Sequence, residues 1–429
     1  MLSLTPPHPT PPLASSRIVQ VRNVNVSDIC CARPVATAQL TRSLDPLLVV
    51  TSQNRSVSFG NAQTTGLITR KKRNICSSQT HPKLHSSKTP LSISALCHLF
   101  ALHRTKTMKT TKRTLHVATP LRESLPLSKV AGTTIYLKLD SAQPTGSFKI
   151  RGIGHLCKTW AERGCVRFVC CSGGNAGMAA AYSARKLGVP ATIVVPSVTP
   201  NQTVQRLKDE GADVIIHGKA LNESIEYGQQ LVANNPDWVF ISPFDDPLIW
   251  EGHTSLVKEL EADLEEKPGA VVLSVGGGGL LNGVIEGLRR AGWDDVPVIA
   301  METVGAHSLN AAMKAGELVT LPAITSIATT LGLTRVSAQT MKLVGEHTVY
   351  SELVTDQEAV RAAEKFVDDE KVLVEPACGA ALAAVYCDII RRLQSEGKLA
   401  QNLGPVVVVV CGGNNISLEQ LRRLKKQLE

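Results

Sequence analysis

Three apolar runs in this chain stop abruptly at glycine-rich segments. The run at 166–171 ends in Ser172-Gly173-Gly174-Asn175-Ala176-Gly177. The run at 270–275 ends in Gly276-Gly277-Gly278-Gly279-Leu280, and the valines at 406–410 end in Cys411-Gly412-Gly413. Short runs with little polar alternation read as strands buried on both faces, which points to a parallel sheet covered by helices. The intervening text agrees. Strand-like stretches at 134–139, 191–195, 212–217 and 296–301 alternate with helical stretches at 201–210, 221–233, 254–264, 356–367, 377–393 and 418–428. Repeated βα alternation defines an α/β chain. Ligands of such sheets bind where strand C-termini turn into helices. No internal repeat of 20–50 residues is present.

Four successive glycines after a buried strand let a backbone approach an anion closely, and the helix that follows offers N–H donors. No Gly-Lys-Ser/Thr follows, so this is not a P-loop. Leu280, Leu281 and Asn282 break the dinucleotide pattern. A plain tight βα turn is the other reading. The N–H groups of the Ser172 segment suit a carboxylate, and Asn175 suits a phenolic oxygen, unless this too is an ordinary capped turn. Cys411 alone reads as a small buried hydrophobe. A fourth segment, Ser141 to Gly152, carries Lys149 where a strand gives way to a helix. Taken alone, Lys149 reads as a solvated surface lysine. A helix N-terminus disfavours an ammonium, and a lysine that sheds its proton easily can condense with an aldehyde. An anion cradle, a carboxylate cradle and an amine together suggest a phosphate-bearing aldehyde cofactor acting on an amino acid.

The net charge of +9 comes from one end of the chain. Residues 1–107 hold 13 Lys and Arg against 2 Asp and Glu, whereas the remainder holds 33 against 35. No aromatic residues interleave with the basic ones, so a nucleic-acid surface is not expected. No apolar run approaches membrane-spanning length. The 11 cysteines show neither a disulfide framework nor a C-x-x-C pair, which indicates a reducing compartment and no structural zinc. Residues 1–113 are rich in Pro, Ser and Thr and show no sustained period. They read as a disordered extension, or as a non-native one with Met108 as the true start, in preference to a mitochondrial transit segment, because five prolines cluster before residue 13.

Residues 114–429 resemble the fold-type II pyridoxal-phosphate enzymes, of tryptophan synthase β-like architecture. Within them the chain is most similar to the short L-serine/L-threonine dehydratases and their serine dehydratase-like paralogues. The stretches that carry the resemblance are Ser147 to Gly152, Ser172 to Gly177, Pro243 to His253, Gly276 to Leu280, Val374 to Ala381 and Cys411 to Asn415. The resemblance implies two doubly wound open-sheet regions, a large one over 114–145 and 247–429 and a small one over 146–246. It implies pyridoxal 5'-phosphate on Lys149, with Phe148 against its ring, Asn175 at the ring 3-oxygen, Gly276, Gly277, Gly278, Gly279 and Leu280 around the phosphate, and Cys411 at the pyridine nitrogen. Ser172, Gly173 and Asn175 would hold the substrate. Potassium would sit at Glu302 and the carbonyls of Gly276, Ala306, Leu331 and Leu333. A cytoplasmic homodimer serving amino-acid catabolism and gluconeogenesis is the wider implication, with no nucleic-acid or membrane partner; a mitochondrial location would follow if the extension were a transit segment.

A thiol facing the ring nitrogen is a weak donor, where a carboxylate would keep that nitrogen protonated. That favours loss of a β-hydroxyl over reactions that need a long-lived carbanion. The expected activity is therefore conversion of L-serine to pyruvate and ammonia, and of L-threonine to 2-oxobutyrate and ammonia. Two positions depart from the family pattern. Cys171 stands where serine is expected. Gly173 stands where the fully active dehydratase has alanine and its paralogue glycine, and loss of that methyl loosens the carboxylate loop and implies modest activity. A weakly active or non-catalytic cofactor-binding homologue with a regulatory role, and a serine racemase-like enzyme, are the alternatives. A biosynthetic threonine deaminase is disfavoured, because only one helix follows Cys411.

Overall fold

The computed structural model describes residues 113–429. The extension expected over 1–113 therefore lies, but for Arg113, outside the described residues.

Two sheets organise these residues. The larger has six strands in the order β1 (Leu121–Glu123), β2 (Ile135–Lys138), β10 (Val406–Val409), β7 (Ala270–Ser274), β8 (Val298–Thr303) and β9 (Val349–Val354). The smaller runs β5 (Asp213–Ile216), β4 (Ala191–Val195), β3 (Arg167–Cys170) and β6 (Trp238–Ile241). Every pairing is parallel except the edge pair β1–β2, where Leu121 faces Lys138. The α/β class expected from the alternation is thus the architecture found, with an antiparallel edge strand that the alternation does not announce.

The valines of β10 are fully buried because that strand lies inside the large sheet with helices over both faces. One of those helices, α12 (Pro376–Tyr386), is buried from Pro376 to Val385. Its proline sits in the first turn, where no N–H is needed. The stretch 377–393, expected as one helix, is two. Helix α12 stops at Cys387, Asp388 takes a left-handed φ of 55°, and α13 (Ile389–Ser395) begins. An apolar period alone does not reveal that break.

The helices that position the site start at strand ends. They are α2 (Lys149–Glu162) beyond β2, α3 (Asn175–Leu187) after β3 and α8 (Gly279–Arg290) after β7. Helix α2 joins the two regions. Its Ile150, Ile153 and Leu156 pack into the core of the small sheet. Arg151, one residue after Ile150, points the other way into a closed ion cluster. Its Nε and Nη2 each donate to Asp140 at 2.7 Å, and Nη1 and Nη2 donate to Glu259 at 2.5 and 2.8 Å. Glu259 belongs to α7 (Ser255–Asp263) and also pairs with the buried Lys138 Nζ at 2.9 Å. Burial works against the Glu259 carboxylate, yet Arg151 and Lys138 hold it below the usual range. Polar clamps of this kind fix the helix that carries Lys149.

Candidate active site

The strand order brings the sequence-predicted residues together. Neighbours β2, β10, β7 and β8 lead, in that order, to the Lys149 segment, Cys411, the four glycines and Glu302. The small sheet contributes Ser172, Gly173 and Asn175 from the end of β3.

Lys149 is the first residue of α2, and its Nζ donates to the Pro243 carbonyl at 2.6 Å. The same Nζ lies 5.2 Å from the centre of the Phe148 ring. Burial lowers its pKa to about 8, against the opposing pull of Cys170, Cys411 and Glu375. The expectation of a lowered lysine is met, but desolvation is the main cause, where the sequence pointed to the helix terminus. The start of α2 is tied to the end of β10: Phe148 N–H donates to Cys411 O at 2.9 Å, and Ser147 bridges Gly412. The Phe148 ring lies 5.2 Å from that of His253, a buried imidazole kept neutral first by burial and then by Lys149 and Arg151.

A hydrogen bond with Cys378, then burial, push the Cys411 thiol well above its ordinary value. The group at the end of β10 is therefore uncharged. The glycines after β7 have a packing reason of their own. A side chain on Gly277 would begin 2.3 Å from the Phe244 ring, and one on Gly278, at φ +91°, would begin 2.0 Å from Thr340 Oγ1. Such contacts exclude every other residue, so their glycine content is not by itself proof of an anion. The first turn of α8 still presents N–H groups that a helix cannot satisfy internally.

Asn175 opens α3 and is buried; its Nδ2 donates to Glu375 Oε1 at 2.9 Å. Ser172 Oγ accepts the Gly174 N–H at 3.2 Å. Cys171 turns to the opposite face of the small sheet, where its sulfur meets Ser224 O at 3.2 Å. That departure from the family pattern lies away from the crevice. A methyl on Gly173 would begin 3.0 Å from Thr199 Cγ2, a tight approach that an alanine could make only with a small shift of Thr199.

Glu302 is fully buried, and its two oxygens accept the N–H groups of Leu309 and Asn310 at 2.8 and 2.7 Å, capping α9 (Ser308–Ala315). Burial raises its pKa to about 8. Leu331 O lies against Gly276 and accepts the Leu333 N–H at 2.7 Å, while Ala306 N–H bonds Thr303 O at 2.9 Å. Among the described residues no cluster of three His, Cys, Asp or Glu forms a metal site.

Glu375, Asn415, Thr340 and the Pro243 carbonyl carry no role in the sequence reading. They partner residues far away in the chain, and only their presence in or beside motif stretches hinted at them.

A lysine amine with a lowered pKa, glycine amides on a neighbouring strand, an uncharged sulfur and a helix start with unsatisfied N–H groups make a crevice of the kind an enzyme uses to hold a carbonyl cofactor. The comparisons with known proteins agree. Residues 113–412 match the family described as pyridoxal-phosphate dependent enzyme. A relative from Bos taurus, L-serine dehydratase/L-threonine deaminase, is 68% identical over 316 residues, which are 74% of this chain and 97% of the relative. The serine dehydratase-like protein of Homo sapiens is 57% identical over 313 residues, 73% of this chain and 95% of its own. The structure of a fungal L-serine ammonia-lyase from Rhizomucor miehei superposes with a TM-score of 0.69 at 39% identity, covering 74% of this chain and all of that one. The chain belongs to the pyridoxal-phosphate dependent enzyme family.

The residues present fit that cofactor. Among the described residues, buried side-chain atoms without a partner are Thr145 Oγ1, Ser147 Oγ, Asn175 Oδ1, His253 Nδ1 and Asn415 Nδ2. Four of them lie on the segments that form the mouth of this crevice, and the fifth stands behind Phe148. Buried polar atoms are normally satisfied, so such a concentration marks a place built to receive a polar group.

Proposed function

We propose that this chain removes water from L-serine and L-threonine, and that the resulting enamine takes up water to yield pyruvate or 2-oxobutyrate and ammonia. The observation that carries this reading is the uncharged Cys411 thiol at the end of β10, whose carbonyl accepts the N–H of Phe148, the residue before Lys149. When bound, pyridoxal 5'-phosphate supplies the electron sink that makes the substrate α-proton removable. Lys149, its pKa lowered to about 8 by burial, would take that proton, which leaves with the β-hydroxyl as water. Phe148 and Asn175 would hold the cofactor ring, Asn175 at its oxygen. Gly276, Gly277, Gly278, Gly279 and Leu280 present backbone N–H groups to the phosphate. Cys411 offers only a weak donor, which suits departure of the hydroxyl together with the proton. Ser172, Gly173 and Asn175 hold the amino acid at the N-terminus of α3. The similar proteins named L-serine dehydratase/L-threonine deaminase and L-serine ammonia-lyase support the same chemistry.

A monovalent cation, potassium, at Glu302 and the carbonyls of Gly276, Ala306, Leu331 and Leu333 completes the reading. Each of those oxygens keeps a lone pair beyond the bonds it already makes. The division into 114–145 with 247–429 and 146–246, a homodimeric assembly and a cytoplasmic location are further parts of the proposal. Seven free cysteines among the described residues support a reducing compartment. No helix among these residues is long and apolar enough to cross a membrane. The test is incubation of the cofactor-loaded chain with L-serine and assay of pyruvate. Product that depends on Lys149 is expected. A loaded chain that makes none overturns the reading, and D-serine in the same assay would replace it with racemisation.

A further inference from the structure

We propose that Asn415 is a donor to the substrate carboxylate, reaching it from the large sheet's side of the crevice, opposite Ser172. The inference rests on the amino-acid reading above and names a residue that neither the motifs nor the family resemblance assigns to the substrate.

Asn415 lies on the strap that follows β10. Its Nδ2 is sealed from solvent and has no acceptor. The other end of the same amide is accounted for, because Oδ1 accepts from Asn414 Nδ2 at 3.3 Å. That bond decides which way the amide faces: oxygen toward Asn414, nitrogen toward the gap. The backbone is held as well, with Asn415 N–H 3.4 Å from Glu375 Oε1. Asn414 is clasped by Arg206 of α4 (Asn201–Asp209), which donates to its carbonyl at 2.9 Å and also to its side-chain oxygen.

The gap itself is measurable at Gly174. A methyl placed there would lie 3.5 Å from Asn415 Nδ2 and 3.8 Å from Ser172 Oγ, and apart from the adjoining Gly173 and Asn175 no other atom lies within 4 Å. An empty position between an orphaned amide donor and a hydroxyl, at the start of a 13-residue helix, suits an anion. A buried donor without an acceptor is costly to maintain unless a ligand completes it. Glu375 does not compete, since Oε1 is committed to Asn175 and Asn415 and Oε2 accepts Thr330 Oγ1 at 2.8 Å. The fitting ligand is the α-carboxylate of a small amino acid. An amine without a carboxylate should be indifferent to Asn415.

The experiment uses the full, cofactor-loaded chain and two unreactive probes, glycine and ethanolamine, whose dissociation constants are read from the change in cofactor absorbance. Steady-state constants for L-serine are measured alongside. Asn415→Ala is expected to weaken glycine and raise KM for L-serine roughly tenfold or more, the effect of losing a hydrogen bond to a charged group. It should leave ethanolamine binding, the resting spectrum and kcat nearly unchanged. Gly174→Ala, whose methyl clashes with nothing in the protein, should weaken glycine in the same selective way by filling the gap. Unchanged glycine affinity in either variant overturns the proposal. So does an equal loss for glycine and ethanolamine, or a lost resting spectrum, because each would assign Asn415 to general packing or to the cofactor. The elimination reading fails separately: an unmodified chain that binds glycine but makes no pyruvate defeats that reading and leaves this one standing.

Discussion

The two sheets are built to different standards. In the large sheet β7, β8 and β10 are buried along their whole length. In the small sheet only the central strands approach that. Its edge strand β5 is open, with Ile216 57% exposed, and β6 is buried only at Ile241. The contacts that join the two regions at the crevice are polar and directional: Asn175 to Glu375, Arg206 to Asn414, and Arg151 to Asp140 and Glu259. Hydrogen bonds and ion pairs fix a geometry and can be broken one at a time, whereas apolar packing yields as a block. The well-buried sheet supplies the sulfur, the glycines and Glu302, groups suited to a permanently held cofactor. The more open sheet supplies the Ser172 segment, suited to a substrate that comes and goes. Lys149 stands at the junction, on a helix packed into one core and clamped to the other.

That contrast yields graded expectations. Lys149→Ala should lower pyruvate formation on the order of 10⁴-fold, the scale of a lost acid–base or nucleophilic group, with the fold intact by circular dichroism. Residual turnover close to the parent's would mean the junction is not where chemistry occurs. Arg151→Met leaves the buried Asp140 without its ion-pair partner, while Glu259 keeps Lys138. Urea unfolding should show a loss of about 3–5 kcal/mol, the usual cost of breaking a buried pair.

Glu302 gives a pH test of the large sheet. Its folded pKa of about 8 lies above the ordinary 4.5. Between those values the native state keeps a proton that the unfolded chain has released, so this group makes stability fall as pH rises through that window. Potassium favours the ionised carboxylate and should offset the loss. Thermal melts in potassium, against a bulky organic cation, should differ by roughly 2 °C at pH above about 8, and less well below it. A difference that is larger in acid would remove Glu302 from the cation site. The smallest effect is expected at the open edge. Arg167 and Asp213 pair at 2.6 Å with Asp213 69% exposed, so Asp213→Ala should cost about 0–1 kcal/mol. If Asp213→Ala cost more than Arg151→Met, the contrast between the sheets would be reversed.

Much of this was legible in the chain. The βα alternation announced both parallel sheets, because strands buried on two faces lose their polar alternation. The three strand-end turns and Lys149 announced the crevice. What spacing could not show were effects created by distant partners. Lys149 is lowered chiefly by burial, which depends on how β10, α3 and the Pro243 segment close around it. Strand β9 mixes Tyr350, Ser351 and Glu352 with valines and so carries no clear period, and Trp238–Ile241 is too short to stand out. Cys171 departs from the family pattern beside the site, yet its side chain lies on the far face of the small sheet with Val169, as alternation along an extended segment requires. Glu375 and Asn175 are 200 residues apart, and nothing local to either foretells their bond.

The central claim is that Lys149 is the amine this fold holds ready for the cofactor. It is tested most directly by reducing the loaded protein with borohydride and mapping the modified peptide by mass spectrometry. The account predicts a single pyridoxyl adduct, on Lys149, with uptake of the cofactor by the stripped protein quickening as pH rises toward about 8. An adduct on another lysine, with Lys149 unmodified, would contradict it.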